Sequence, residues 1–226
     1  MKNSIILKKA DNPFYFYARL SLTLATGRTV LDAQGLLDVL KTCSDSVLYA
    51  HTHRFLQAHQ FMGAGPSNDF SVWASHALGD EELAEKLGVI EPLGYSNLED
   101  LRKDIVSALS RHIEGQFYPR KAPAGRELHI LSAVRFSIRT GDRAQDLKEF
   151  FEALKKASPA TIYLHAFESR LRSAKGVSDF SVWLEEELGE KDLAHAIGDL
   201  NPYAQPLLEL KQKILEMVQI RLGEQI

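Results

Sequence analysis

His51 and His165 are the residues of this chain whose type and spacing best suit chemistry. Each interrupts an apolar helical stripe: His51 lies three residues after Leu48 and four before Phe55, and His165 three after Ile162 and next to Ala166. Each is followed by an aspartate in a repeated word, Asp69 in NDFSVW and Asp179 in SDFSVW. A histidine within hydrogen-bond reach of an aspartate, with both open to a pocket, can serve as a general base in a hydrolase or transferase. The same residues predict a structural role: a partly buried ring bonded to a backbone carbonyl or to the following aspartate, pinning one helix onto the next. A third arrangement is a pair of ligand-facing histidines where the halves of the chain meet. Asp69 and Asp179 could share a proton only if they touched. The Asp-Thr-Gly context of aspartic proteases is missing, since the Thr-Gly pairs follow Ala25 and Arg139. Charge in the first turn of a helix is therefore their expected role.

Other chemistries find less support. Arg170, Arg172 and Lys175, with Arg54 in the other half, could grip an anion, because guanidinium matches carboxylate and phosphate in a fork. A solvated helix face accounts for the same run. His51, His53, His59 and His76 crowd one half, but none of them forms the His-Glu-x-x-His spacing that brings two rings to one metal, so no metal site is expected. Gly-x-Gly-x-x-Gly, the P-loop and Gly-x-Ser-x-Gly are absent, and Cys43 has no motif around it, so no cofactor is indicated. Phe70, Trp73, Phe180 and Trp183 are expected as core anchors.

The elements that carry these residues occur twice. At an offset of 114, which takes His51 to His165, Thr26-Gly27 falls on Thr140-Gly141, Asp32 on Asp146, and Leu40-Lys41 on Leu154-Lys155. At an offset of 110, which takes Asp69 to Asp179, the pentapeptide Asp-Phe-Ser-Val-Trp matches, as do Leu78-Gly79 with Leu188-Gly189 and Pro92 with Pro202. The first half thus holds four more residues, around QFMGAGPS, a loop tip by composition. This predicts a first repeat over 1–113, a Gly- and Pro-rich linker over 114–127 and a second repeat over 128–226.

Each repeat opens on alternation: Leu20, Leu22 and Leu24 against Arg19, Ser21 and Thr23, then Val134, Phe136 and Ile138 against Arg135, Ser137 and Arg139. Such alternation predicts a half-buried strand ended by Thr-Gly, and two lone strands are expected to pair with each other or with another chain. About five helices follow. Asn68 and Ser178 suit N-caps, Ser158-Pro159 a helix start, and Ser96-Asn97-Leu98-Glu99 a capping box. The fold class is mainly α with minor β: a tandem, pseudo-twofold strand-plus-helices unit with a small sheet between the opening strands.

Bulk properties narrow the partners. A net charge of −3 over 226 residues argues against nucleic acid, and 45% hydrophobic with 25% charged residues suits a soluble globular chain. No run reaches the ~20 apolar residues of a membrane helix, MKNSIILKKADNP is too short in apolar character for a secretory signal, and the single cysteine makes no internal disulfide. A cytoplasmic location is expected, with a homodimer as one way to pair the strands.

The segments FYFYARLSLTLATG, NDFSVWASHALGDEELAEKLGVIEP, TIYLHAFESRLR and SDFSVWLEEELGEKDLAHAIGDLNPY together resemble the prokaryotic proteins catalogued as domain of unknown function 5752. The resemblance covers nearly the whole chain and implies no catalytic residue set. Within it, HTHRFLQAH and HAFESRLRS share only their first histidine. The reading is of a non-catalytic binding or regulatory module, with a cleft between the repeats for a small anionic or sugar-like ligand or a protein partner. The alternatives are a hydrolase or transferase using a His–Asp base, and an assembly protein pairing through strand edges.

Overall fold

The alternating segments form two 17-residue strands, β1 (Phe14–Val30) and β2 (Leu128–Ala144), paired as an antiparallel two-stranded sheet. Everything else regular among the described residues is helical, so the protein is mainly α with minor β. The structure, a computed structural model, describes residues 7–59, 66–115, 119–173, 176–201 and 206–223. Most of the expected insertion (60–65), the linker residues 116–118, Lys175 and Pro202 lie outside the described residues.

Two sequence expectations for the strands change. They do not stop at Thr-Gly but run on to Val30 and Ala144, with Gly27 (φ 75°) and Gly141 (φ 92°) inside them. Glycine enters the left-handed region without a Cβ clash, so the strand continues through it. The alternation also misleads about burial. Leu22 is 57% exposed, and Leu20, Leu24, Phe136 and Ile138 are exposed too, while Arg19 is buried. The buried apolar residues of the strands lie toward their two ends instead, Phe14, Phe16 and Val30 in β1 and Leu128, Ile130, Ala133 and Ala144 in β2.

The first half continues as α1 (Ala33–Thr42), α2 (Asp45–His51), α3 (His53–His59), α4 (Asp69–His76), α5 (Glu81–Gly88) and α6 (Leu98–Glu114). The second continues after β2 as α7 (Leu147–Lys156), α8 (Pro159–Ile162), α9 (Asp179–Glu186), α10 (Lys191–Gly198) and α11 (Leu207–Arg221). Between α8 and α9 the chain winds through a π-helical turn (Tyr163–Phe167) and a 3-10 turn (Glu168–Arg172). Caps fall at matching places. Asp32 and Asp146 accept the N–H of Gly35 and Glu149, and Asn68 and Ser178 accept those of Ser71 and Ser181. Each such cap stabilises its helix by about 1 kcal/mol. The cap of α6 is Asn97, one residue later than the capping box places it.

The chain forms two compact units, and neither is simply one half of the sequence. Unit 1 gathers the described residues of Met1–Leu20 and Phe136–Ile226; unit 2 gathers those of Ser21–Gln60 and Gly65–Arg135. The helices of each unit therefore receive the start of their strand from the opposite half. In unit 1, Phe14 and Phe16 pack into Phe150, Phe180 and Trp183, with Phe14–Phe180 and Phe14–Trp183 centroids 5.4 and 5.5 Å apart. The indole N–H of Trp183 donates to the Asn12 carbonyl (2.9 Å). Unit 1 also buries an ion pair, Arg19 with Glu168, in which Nη2 and Nε reach Oε1 and Oε2 at 2.8 and 3.0 Å and Nη1 donates to Ser137 Oγ. In unit 2, Leu128 and Ile130 are buried alongside Leu36, Leu40, Phe70 and Trp73, and the Trp73 indole donates to the Arg126 carbonyl (3.1 Å).

Candidate functional site

Both histidine–aspartate pairs form. His51 ends α2, and its Nδ1–H donates to Oδ2 of Asp69 in the first turn of α4 (2.7 Å). His165 sits in the π-helical turn, and its Nδ1–H donates to Oδ2 of Asp179 in the first turn of α9 (2.8 Å). The second nitrogen of each ring is also engaged. His51 Nε2 accepts the backbone N–H of Leu131 (3.0 Å), and His165 Nε2 accepts that of Tyr17 (2.9 Å). A backbone N–H donates only to a lone pair, so each ring is the neutral tautomer with its proton on Nδ1.

This arrangement follows from the sheet. A strand in a two-stranded sheet has one edge without a strand neighbour, and a buried N–H there needs an acceptor. The histidine supplies it, joining the strand start from one half of the chain to two helical segments from the other. Both rings are buried, His51 against Phe70 (5.1 Å between centroids) and His165 against Phe14 (4.9 Å) and Phe180 (5.5 Å). The one basic lone pair of each ring, on Nε2, is thus engaged by a backbone N–H. Asp69 and Asp179 lie in different units, each bound to its own histidine, and both stay partly open to solvent.

Within unit 1, Arg170 and Arg172 take different partners. Arg172 Nη2 meets Asp179 Oδ2 at 3.3 Å, and Arg170 Nη2 donates to the Gly198 carbonyl at the end of α10 (2.7 Å). Arg54 belongs to unit 2, where its buried Nε has no hydrogen-bond partner among the described residues. Nor do the acids and imidazoles assemble for a cation: among the described residues no three His, Cys, Asp or Glu side chains group as a metal site requires. No described helix is long and apolar enough to cross a membrane.

His53 has a different role. It stacks on Tyr49 (5.3 Å), whose ring also carries the Arg135 guanidinium at 4.4 Å. Burial, and then the charge of Arg135, push its pKa down to about 3. The unfolded chain binds this proton near 6.5 and the folded chain only near 3. Stability is therefore full above pH 6.5 and falls as pH drops from there to 3, by up to about 1.4 kcal/mol per unit. Denaturant titrations at pH 7.5, 6 and 5 should show this slope, and His53→Phe, the residue found 114 positions on at Phe167, should flatten it. Asp80 acts in a lower window. Burial alone would raise its carboxyl, but the Leu83 N–H and His112 hold it below the usual carboxylate value, so its contribution is lost only below about pH 4.

Unit 1 contains an open groove of about 680 Å³ beside the His165–Asp179 pair. Tyr15, Tyr17 and Trp183 supply aromatic surface, and Asp179, Glu186 and Glu187 supply carboxylates. Asn12 donates from its backbone and side-chain N–H groups to the two oxygens of Glu187 (3.0 and 2.8 Å). Those bonds, with Lys8 nearby, hold the Glu187 carboxyl below its ordinary range. Unit 2 has a shallower hollow of about 600 Å³ at the corresponding place, beside Asp69 and Trp73, but with His76 and Ala77 where unit 1 has Glu186 and Glu187. The sequence reading passed over Asn12, Tyr15, Tyr17, Glu186 and Glu187. Aligning WASHALG with WLEEELG sets Glu185, Glu186 and Glu187 against Ser75, His76 and Ala77, a run of charged departures that contains the two groove glutamates.

The family of unknown function DUF5752 matches residues 11–219. A solved structure described as that of OrfY from Thermoproteus tenax is similar over 94% of this chain and 96% of that chain, with a TM-score of 0.78 and 26% sequence identity. No curated protein matches significantly.

Proposed function

For a chain that belongs to the DUF5752 family, we propose a non-catalytic binding module whose ligand site is the unit 1 groove. One observation carries this reading: the Tyr17 N–H occupies His165 Nε2, so the His–Asp pair beside the groove holds a strand rather than a proton-transfer position. The groove also takes its walls from both halves of the sequence, Asn12–Tyr17 from the first and α9 from the second. We further propose that the halves are tandem copies, 1–113 and 128–226 joined by 114–127. The like bonding of His51–Asp69 and His165–Asp179 supports this.

The test is a ligand screen on ¹⁵N-labelled protein with anions, sugars, amines and short peptides. Binding should shift the amides of Asn12, Tyr15, Tyr17 and Val182–Glu187 and raise the melting temperature without turnover. Turnover abolished by a folded His165→Asn variant would overturn the reading in favour of a hydrolase or transferase.

A second reading, assembly with another copy of the chain, draws on the exposed Leu20, Leu22 and Leu24 of β1 and Val134, Phe136 and Ile138 of β2. Six large apolar side chains at such exposure are uncommon on a protein that stays alone in water. Sedimentation of the parent and of Leu22→Lys tests it: a dimer lost in the variant supports the reading, and a monomeric parent removes it.

A further inference from the structure

Resting on the groove as a binding site, we infer that it takes a cationic nitrogen group, an ammonium or a guanidinium. Three acidic side chains line it, Asp179, Glu186 and Glu187, against one base, Arg172, which already meets Asp179. Glu186 is exposed and carries no hydrogen bond or ion pair among the described residues, so its charge is available to a ligand. The aromatic wall suits the same ligand, since a ring face attracts a cation within about 6 Å of its centroid. Tyr15, which lines the groove, already carries the Arg139 guanidinium 4.0 Å from its centroid, so a ligand cation there uses the other face of the ring or displaces Arg139. An anion would have to compete with the carboxylates for Arg172.

Unit 2 provides an internal contrast. Its hollow is of similar size and keeps the aspartate and the tryptophan, but has His76 and Ala77 for the two glutamates and Arg126 on its wall. At an offset of 114 the positions of Tyr15 and Tyr17 are His129 and Leu131. A cation should therefore select unit 1, whereas attraction to the chain's net negative charge in general would not discriminate between the units.

The experiment uses the full chain, labelled with ¹⁵N, and five probes: methylguanidinium, spermidine, a hexalysine peptide, inorganic phosphate and glucose. The inference expects the cationic probes to shift Tyr15, Tyr17 and Val182–Glu187, leaving Asp69–Ala77 of unit 2 in place, with binding that weakens as salt rises. Glu186→Gln should weaken it about tenfold, the loss of one charge-assisted contact. Tyr15→Leu should weaken it as well, and both variants should melt with the parent. Tighter binding of spermidine than hexalysine identifies a free amine as the source, and the reverse identifies a basic peptide; either supports the inference. Phosphate or glucose in the groove, with the cations absent from it, overturns the inference and leaves the binding-module reading standing. Silence from all five probes there, and from the wider screen, overturns both.

Discussion

Cut between Ala124 and Gly125, the chain is expected to run as one particle of 25.4 kDa, and its two pieces are expected to be unfolded when separated. The cut falls in an exposed turn, so it removes no core contact. Holding the pieces together are the exchanged strands. The first piece lends Phe14 and Phe16 to the helices of unit 1, and the second lends Leu128 and Ile130 to unit 2. Emptying one buried phenylalanine site costs about 3–5 kcal/mol. Two such losses in one unit, about 6–10 kcal/mol, are comparable to the ~5–15 kcal/mol by which a domain is stable. Size-exclusion chromatography and circular dichroism of the nicked and the separated pieces read the outcome. Two pieces that part spontaneously as folded monomers would show each half to be self-sufficient and the exchange to be immaterial.

The second large effect is expected at the histidines. His165→Ala should destabilise unit 1 by about 3–5 kcal/mol, because it leaves the Tyr17 N–H without its acceptor and opens a cavity against Phe14 and Phe180. For a unit of this size that amounts to a fall in Tm of about 10 °C or more. Asp179→Asn should be far milder, about 1 kcal/mol, since an amide oxygen still accepts from Nδ1–H and only the charge assistance is lost. His51→Ala and Asp69→Asn should reproduce the contrast in unit 2. Thermal melts of the four variants measure it. Alanine variants that melt with the parent would mean that the rings clamp nothing.

The histidines also mark how far sequence reading reaches. The following aspartate was legible as one of two partners for each ring, beside a backbone carbonyl, because the order helix, histidine, capped helix, aspartate is local and is written twice. The backbone N–H on the far side of each ring was not: Leu131 and Tyr17 stand 80 and 148 residues from the histidines they meet, and the alternating runs legible as strands begin after both of them. The same gap hid the Arg19–Glu168 pair. Arg19 reads as the polar side of an alternating strand, and only the fold brings Glu168 to it. Helix starts at Asn68, Ser158 and Ser178 were readable, since caps are properties of short segments. The groove was not, since Asn12 and Glu187 stand far apart in the chain.

One measurement bears most directly on the claim that these histidines are clamps: long-range ¹H–¹⁵N correlation of the imidazole nitrogens at pH 7.5. His51 and His165 should each show the neutral ring with the proton on Nδ1 and a bare, hydrogen-bonded Nε2, as acceptors for Leu131 and Tyr17 must. A proton on Nε2 of either ring would contradict the account, for that nitrogen would then be a donor facing a donor and the strand would be held by something else.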